Sequence, residues 1–318
     1  MSHLSAPILV TGAAGFVGSH LLDLLAQQSQ PLVGCFHPAA SPRDPRPDVT
    51  WVALDLLNRE AVADMLGEQR PDAIYHLAGA AHVAQSWQNL STTYEGNVLA
   101  THHLFEALRI HELRPRVFVS GSAMIYRPQD RPIREDDALG PTSPYATSKL
   151  AQEMLAQRAW ETNGVPTLIA RSFNHVGPRQ DPSYVAPGIA KQIALIEAGR
   201  QDAVITMGNL EPKRDLSDVR DTVRAYVAMM DGARPGEPYN VCSGKGLSIA
   251  ELVETFIARA RTPVRVVQDP ARFRPNDVPL LVGDHQRLTA ETGWRPAIPF
   301  ERTVDDLLEY WRQQIRSH

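Results

Sequence analysis

The chain has 318 residues, 43% of them apolar and 21% charged, with a formal net charge of −4. That length can bury a large core spread over about two lobes of ~150 residues each. No apolar run approaches the ~20 residues of a membrane span, and no block of like charge offers a nucleic-acid footprint. Its two cysteines, Cys35 and Cys242, cannot frame a disulfide scaffold. The start, MSHLSAPILV, lacks the basic and long apolar stretches of a signal peptide, so the expected location is the cytoplasm.

The first predicted strand is PILVTG at 7–12, and FVGSHLLDLLAQQ follows it with apolar residues at helical spacing. Further strands are predicted at 31–36, 49–56, 72–79 and 116–122, with a proline-rich loop at 38–47. Strands alternating with helices predict an α/β fold with a doubly wound parallel sheet of Rossmann type, whose ligands sit beyond the carboxyl ends of the strands. From about residue 176, segments such as GPRQDPSYVAP and DPARFRPNDVP suggest a smaller carboxyl-terminal substrate lobe of irregular pieces between short helices. The expected division is a dinucleotide lobe over 1–175, rejoined by 216–243, and a substrate lobe from 176–215 and 244–318.

Between the first strand and helix, Gly12, Gly15 and Gly18 are spaced three apart, with Phe16 and Val17 opening the helix. Small residues there let backbone N–H groups approach a pyrophosphate at the positive helix end. The plainer alternative, a tight turn needing glycine, loses weight because the triplet falls in the first strand–helix unit. The second strand ends in PLVGCFHP without the acidic residue that would hold the ribose hydroxyls of NAD. Arg43 and Arg46 in the next loop could meet a 2′-phosphate or simply be solvated, so NADP(H) is favoured and NAD(H) possible. Asp55, beside Leu56 at the end of the third strand, could accept from the adenine amino group or cap the next helix. Leu77, Ala78 and Gly79 keep the turn after the fourth strand small, where backbone would pass close to a ribose or nicotinamide.

Ser143 and Pro144 suit the cap and first position of a helix. Tyr145 and Lys149 then share one face, so that the ammonium can favour the phenolate of a tyrosine otherwise sluggish at neutral pH. Ser122, at the end of the fifth strand, could hold a carbonyl oxygen beside them. A lone Tyr–Lys pair would be read as a surface contact; the glycine turn and the strand-end serine favour acid–base catalysis. No metal is expected.

TGAAGFVG, Ser122 and YATSK together resemble the extended short-chain dehydrogenase/reductase family, over nearly the whole chain. The segments RSFNHVGP, SYVAPGIAKQI, GNLEPKRD, YNVCSG and RPNDVPLLVG resemble its branch acting on GDP-sugars, which contains GDP-mannose 4,6-dehydratases and GDP-4-keto-6-deoxy-mannose reductases. That resemblance implies a GDP-sugar partner, with Asn174 on the pyrophosphate, Lys191 and Arg214 flanking the guanosine diphosphate, Arg274 on a phosphate and Asp277 on the ribose. Asn209 falls in the same set of substrate segments. It also implies a homodimer built on a four-helix bundle.

Dehydratases of the family carry an acidic residue just after the catalytic Ser/Thr, whereas here Ala123 and Met124 follow Ser122. Neither can shuttle a proton. The expected reaction is therefore hydride transfer from NAD(P)H to carbon 4 of GDP-4-keto-6-deoxy-D-mannose, giving a GDP-6-deoxyhexose such as GDP-D-rhamnose. A dehydratase, another nucleotide-sugar epimerase and a non-catalytic NAD(P) sensor are the alternatives.

Overall fold

A computed structural model describes residues 6–42, 45–273 and 278–317. The amino-terminal part runs β1 (Ile8–Thr11), α1 (Phe16–Leu25), β2 (Leu32–Phe36), β3 (Val49–Ala53), α2 (Arg59–Gln69) and β4 (Ala73–His76). Short helices α3 (Val83–Ser86) and α4 (Leu90–Tyr94) pass through a π-helical turn, Glu95–Leu99, into α5 (Ala100–Ile110). Then come β5 (Arg116–Ser120), α6 (Pro144–Asn163), β6 (Thr167–Ser172) and β7 (Asn174–Val176). The remainder is α7 (Val185–Glu197), β8 (Val204–Met207), β9 (Lys213–Asp218), α8 (Val219–Gly232), β10 (Pro238–Val241) and β11 (Gly246–Ser248). Last come α9 (Ile249–Ile257), β12 (Arg265–Gln268), β13 (Leu280–Leu281), α10 (Gln286–Thr292) and α11 (Phe300–Arg316).

Seven strands form one sheet in the order β10-β6-β5-β4-β1-β2-β3, every neighbouring pair parallel. Strands buried on both faces read as continuous apolar runs, and helices cover each side. On one face Leu21, Leu22 and Leu25 of α1 join Val223, Tyr226 and Met229 of α8. On the other, Val62 and Leu66 of α2, Leu104 and Leu108 of α5 and Ala156 and Ala159 of α6 pack together. Each large side chain so buried contributes roughly 1.5–3 kcal/mol. Strand order reverses between β1 and β4, and a crevice at their carboxyl ends is where such sheets bind ligands.

The five anticipated strands form, but the third, fourth and fifth end at Ala53, His76 and Ser120, short of 56, 79 and 122. The Asp55 carboxylate accepts from Leu57 N (2.9 Å) and closes a turn after β3. Past β4, Thr11 Oγ1 takes Ala78 N (3.2 Å) and draws the chain across the end of β1.

Both β6 and β10, paired through Val241 and Ser172, lead from the sheet into the second lobe. There β9 pairs with β7, β11 and β13, and β12 with β8. This lobe is more regular than its prolines and glycines suggest: α7 has 13 residues and α11 has 17. Most of the breakers fall in connections, with Pro187 and Gly188 in the first turn of α7, while Ile189 and Ile193 of α7, Leu252 and Phe256 of α9 and Leu307 and Leu308 of α11 close a separate core.

Candidate active site

Gly12 leaves β1 in the left-handed region at φ 68°, where a Cβ would lie 2.8 Å from Ala78 N. A side chain is excluded there by both strain and space. Gly15 is the N-cap of α1 and supplies no side-chain cap, so the first-turn amides remain available to an anion. At Gly18 a Cβ would lie 2.3 Å from Gly12 O, so the helix rests directly on the turn. This cradle fits a dinucleotide pyrophosphate. Phe16 stacks on His175 (ring centroids 5.9 Å apart), and Val17 packs against the α1–α8 core.

The turn after β4 is clamped from the π-helical segment. Asn97 Oδ1 accepts from Ala80 N (2.8 Å), while its Nδ2 donates to Ala80 O (3.1 Å) and Ser148 Oγ (2.9 Å). A Cβ on Gly79 would lie 2.3 Å from Asn97 Oδ1, and Leu77 packs on the core beside it.

Ser143 Oγ accepts from Ala146 N (3.1 Å) with Pro144 at the first helical turn, so α6 starts where capping chemistry places it. Tyr145 N donates to Ser86 Oγ (3.2 Å), and Ser122 stands beside the Tyr145 hydroxyl and favours its phenolate. Ser122 Oγ in turn accepts from Met124 N (3.2 Å). Lys149, 6% exposed, donates to Ser120 O (2.8 Å) and Gln152 Oε1 (2.9 Å). The structure therefore brings Ser122, Tyr145 and Lys149 to one point at the end of β5.

Electrostatics here differ from the simple expectation. Burial pushes Tyr145 above its ordinary value, and neighbouring Ser122 draws it back. Burial also lowers Lys149 to about 8. The ammonium is directed at a carbonyl and an amide, not at the phenol. Across the cleft, the Tyr184 ring stacks on His82 (4.6 Å), and its hydroxyl donates to Ala81 O (3.3 Å). Burial, then neighbouring Tyr145, raise Tyr184 to about 12. The pair ties α7 of the second lobe to the turn above the site.

Other anticipated residues are dispersed. Asp55 does not cap α2; Asn58 does, accepting from Ala61 N (3.1 Å), and Asp55 lies 4.0 Å from His37 Nε2. Leu56 is core, its carbonyl hydrogen-bonded to His103 Nδ1 (2.9 Å). Arg46 is held by Asp48 (2.9 Å) and by Asp23 of α1 (3.0 Å) rather than turned to a ligand. Asn174 lies in β7 opposite Leu216 of β9. Lys191 Nζ lies 5.4 Å from the Trp311 ring centre, Asn209 Oδ1 accepts from Glu211 N (3.1 Å), and Arg214 donates to Val278 O (2.6 Å). Arg43, Arg274 and Asp277 lie outside the described residues.

Asn97, Thr101, Gln152 and His76 escaped the sequence reading. The available signal was polar residues interrupting the buried stripes of α5 and α6, with Gln152 one turn beyond Lys149. Among the described residues, no cluster of three or more His, Cys, Asp or Glu could hold a metal, and no helix is long and apolar enough to cross a membrane.

The family model for GDP-mannose 4,6 dehydratase matches residues 9–307. The chain is 35% identical to the GDP-6-deoxy-D-mannose reductase of Pseudomonas aeruginosa over 319 residues, 98% of each protein. It superposes on the structure of RMD from Pseudomonas aeruginosa complexed with NADPH at a TM-score of 0.84 and 32% identity, covering 98% of this chain and 100% of that one. On the Thermus thermophilus UDP-glucose 4-epimerase complexed with NAD, the TM-score is 0.86 at 26% identity, with 96% and 99% covered. The chain belongs to the GDP-mannose 4,6-dehydratase family of the extended short-chain dehydrogenase/reductases, NAD(P)-dependent enzymes of nucleotide-sugar chemistry.

Proposed function

We propose that the protein reduces GDP-4-keto-6-deoxy-D-mannose at carbon 4, with NADPH favoured over NADH, to a GDP-6-deoxyhexose such as GDP-D-rhamnose. The observation that carries this reading is the neighbourhood of Ser122: Tyr145 and Lys149 are in place, but the next two residues are Ala123, buried in core, and Met124. Reduction of a ketone needs one proton at the oxygen, whereas dehydration also needs an acid for the departing hydroxyl. The likeness to a reductase over the full chain supports the same choice.

The cofactor, when bound, supplies the hydride. Ser122, whose oxygen already accepts from Met124 N, has its own proton to donate to the carbonyl oxygen. Tyr145 delivers the proton that completes the alcohol, and Lys149, which with Tyr145 also holds the cofactor, stabilises the phenolate left behind. Gly12, Gly15 and Gly18 with the amides of Phe16 and Val17 hold the pyrophosphate; Asp55, Leu56, Leu77, Ala78 and Gly79 line the adenine and ribose side, and Arg43 takes a 2′-phosphate. Asn174, Lys191, Asn209, Arg214, Arg274 and Asp277 serve the GDP-sugar. We assign the cofactor to residues 1–175 with 216–243 and the sugar nucleotide to 176–215 and 244–318. Helix α8 and strand β10, which pack with the large sheet, support that division.

The working location is the cytoplasm and the working unit a homodimer. Leu90, Tyr94, Leu99 and Met154 leave exposed apolar side chains along α4 to α6, a surface that a second copy would cover. The decisive experiment supplies two substrates. Given the keto-sugar, the protein consumes NADPH stoichiometrically; given GDP-mannose and NADP⁺, it releases no 4-keto-6-deoxy product. Efficient release of that product would make it a dehydratase.

A further inference from the structure

Behind Lys149 runs a buried chain of uncharged groups whose donor directions are fixed by geometry. Thr101 Oγ1 donates to Asn97 O (2.7 Å), one turn back on its own helix, which spends its only proton. The same oxygen lies 2.8 Å from Gln152 Nε2 and 2.9 Å from His76 Nε2, so it accepts from both. His76 therefore carries its proton on Nε2, and its Nδ1 accepts from Thr11 Oγ1 (2.9 Å), which in turn accepts from Ala78 N. Burial, then the charge of Lys149, hold His76 neutral by lowering it to about 3.

With its NH₂ committed to Thr101, Gln152 can present only Oε1 to Lys149. The flipped amide would set NH₂ against the ammonium and oxygen against an oxygen with no proton left to give. Thr101, His76, Gln152 and Lys149 are all buried. Around Lys149 the structure offers Gln152 on its own helix, Ser120 O from β5 and the neutral His76 from β4, and no carboxylate bonds to it among the described residues.

We propose that Gln152, held by Thr101 and His76, is the positioning residue for Lys149: it fixes the direction of the ammonium without cancelling its charge. This rests on the role given to Lys149 above. A carboxylate in the same place would neutralise the field that Tyr145 needs, and its second oxygen would face the Thr101 oxygen that has no proton left to give. The amide supplies direction alone.

Three variants test this, each measured by fluorescence titration of NADPH without sugar, by kcat and KM for GDP-4-keto-6-deoxy-D-mannose, and by thermal melting. Gln152→Met keeps the volume and removes the acceptor. It should weaken NADPH binding and lower kcat by about tenfold each, the scale of one hydrogen bond to a charged group, with sugar KM within about twofold. Gln152→Glu keeps an acceptor for Lys149 but cancels its charge, and should lose about tenfold or more in kcat. Thr101→Val releases the amide and should repeat the Gln152→Met pattern more weakly, which preserves the test if one variant fails to fold. NADPH affinity and kcat unchanged in Gln152→Met, with only the melting temperature moved, would overturn the proposal, as would parental kcat in Gln152→Glu. Tyr145→Phe in the same series separates the two readings. If Tyr145→Phe abolishes turnover and the Gln152 variants keep parental kcat and NADPH affinity, only this inference falls; if Tyr145→Phe is also active, the assignment of the site falls.

Discussion

Replacing Lys149 by methionine should make the protein more stable and less able to bind NADPH. Lys149 carries its charge in a site that lowers its pKa from 10.5 to about 8, with burial as the cause. At ~1.4 kcal/mol for each tenfold shift, holding that cation in the fold costs about 3 kcal/mol. Methionine is similar in volume and pays none of this, but it leaves Ser120 O and Gln152 Oε1 without their donor, at about 1 kcal/mol each. The net expectation is a gain of about 1 kcal/mol near pH 7, roughly 2 °C in melting temperature for a chain of this size. Between pH 8 and the unfolded lysine value of ~10.4, the unfolded parent binds the proton that the folded parent has lost, so parental stability rises with pH. The advantage of methionine is thus full below pH 8 and shrinks above it. Urea unfolding of both proteins at several pH values, with NADPH titrations alongside, measures every part of this. A less stable variant at pH 7, or a gain that persists unchanged at high pH, would refute the reasoning about the buried charge.

What could be read from the sequence was local. Ser143, Pro144 and Tyr145 announce their helix because capping acts within one turn, and the turn at Gly12 follows from its place after an apolar strand. Ser122, Tyr145 and Lys149 could be grouped because the parallel-sheet rhythm puts strand ends on one edge. What could not be read was partnership over distance. Arg46 is tied by Asp23, on a different element. Lys191 and Trp311, 120 positions apart, meet because α7 and α11 share a core, which no spacing rule reveals. The environment of Lys149 draws on β1, β4, α5 and β5, so its reduced pKa and its amide partner emerge only once those elements are packed.

Removal of the Tyr145 hydroxyl in Tyr145→Phe should cost 10²–10⁴-fold in kcat, the usual worth of a general acid, with NADPH affinity kept; stopped assays with pre-bound cofactor would show either. His20 accepts from Arg179 (2.7 Å) and is lowered to about 4 by burial and then by that arginine. Its unfolded form takes up a proton near pH 6.5, so stability should fall as pH drops from 6.5 to 4, and less steeply in His20→Asn; equal slopes would remove His20 from the account. Gly12→Ala can be predicted against an internal control. Gly12 and Gly199 share φ 68°, so alanine at either bears the same left-handed strain of ~1–2 kcal/mol. At Gly199 nothing lies within 4 Å of the added Cβ, whereas at Gly12 it would meet Ala78 N at 2.8 Å and Ala78 Cα at 3.0 Å. That backbone is fixed by Thr11 Oγ1 and cannot recede without breaking the bond that ends in His76 and Lys149. Gly199→Ala should therefore lose only the strain energy and bind NADPH normally, while Gly12→Ala loses roughly 1–3 kcal/mol more, as in other overpacked sites, and binds NADPH poorly. Equal melting temperatures for the two variants, with equal NADPH affinity, would mean that the turn is looser than its contacts require and that close backbone approach is not what selects glycine there.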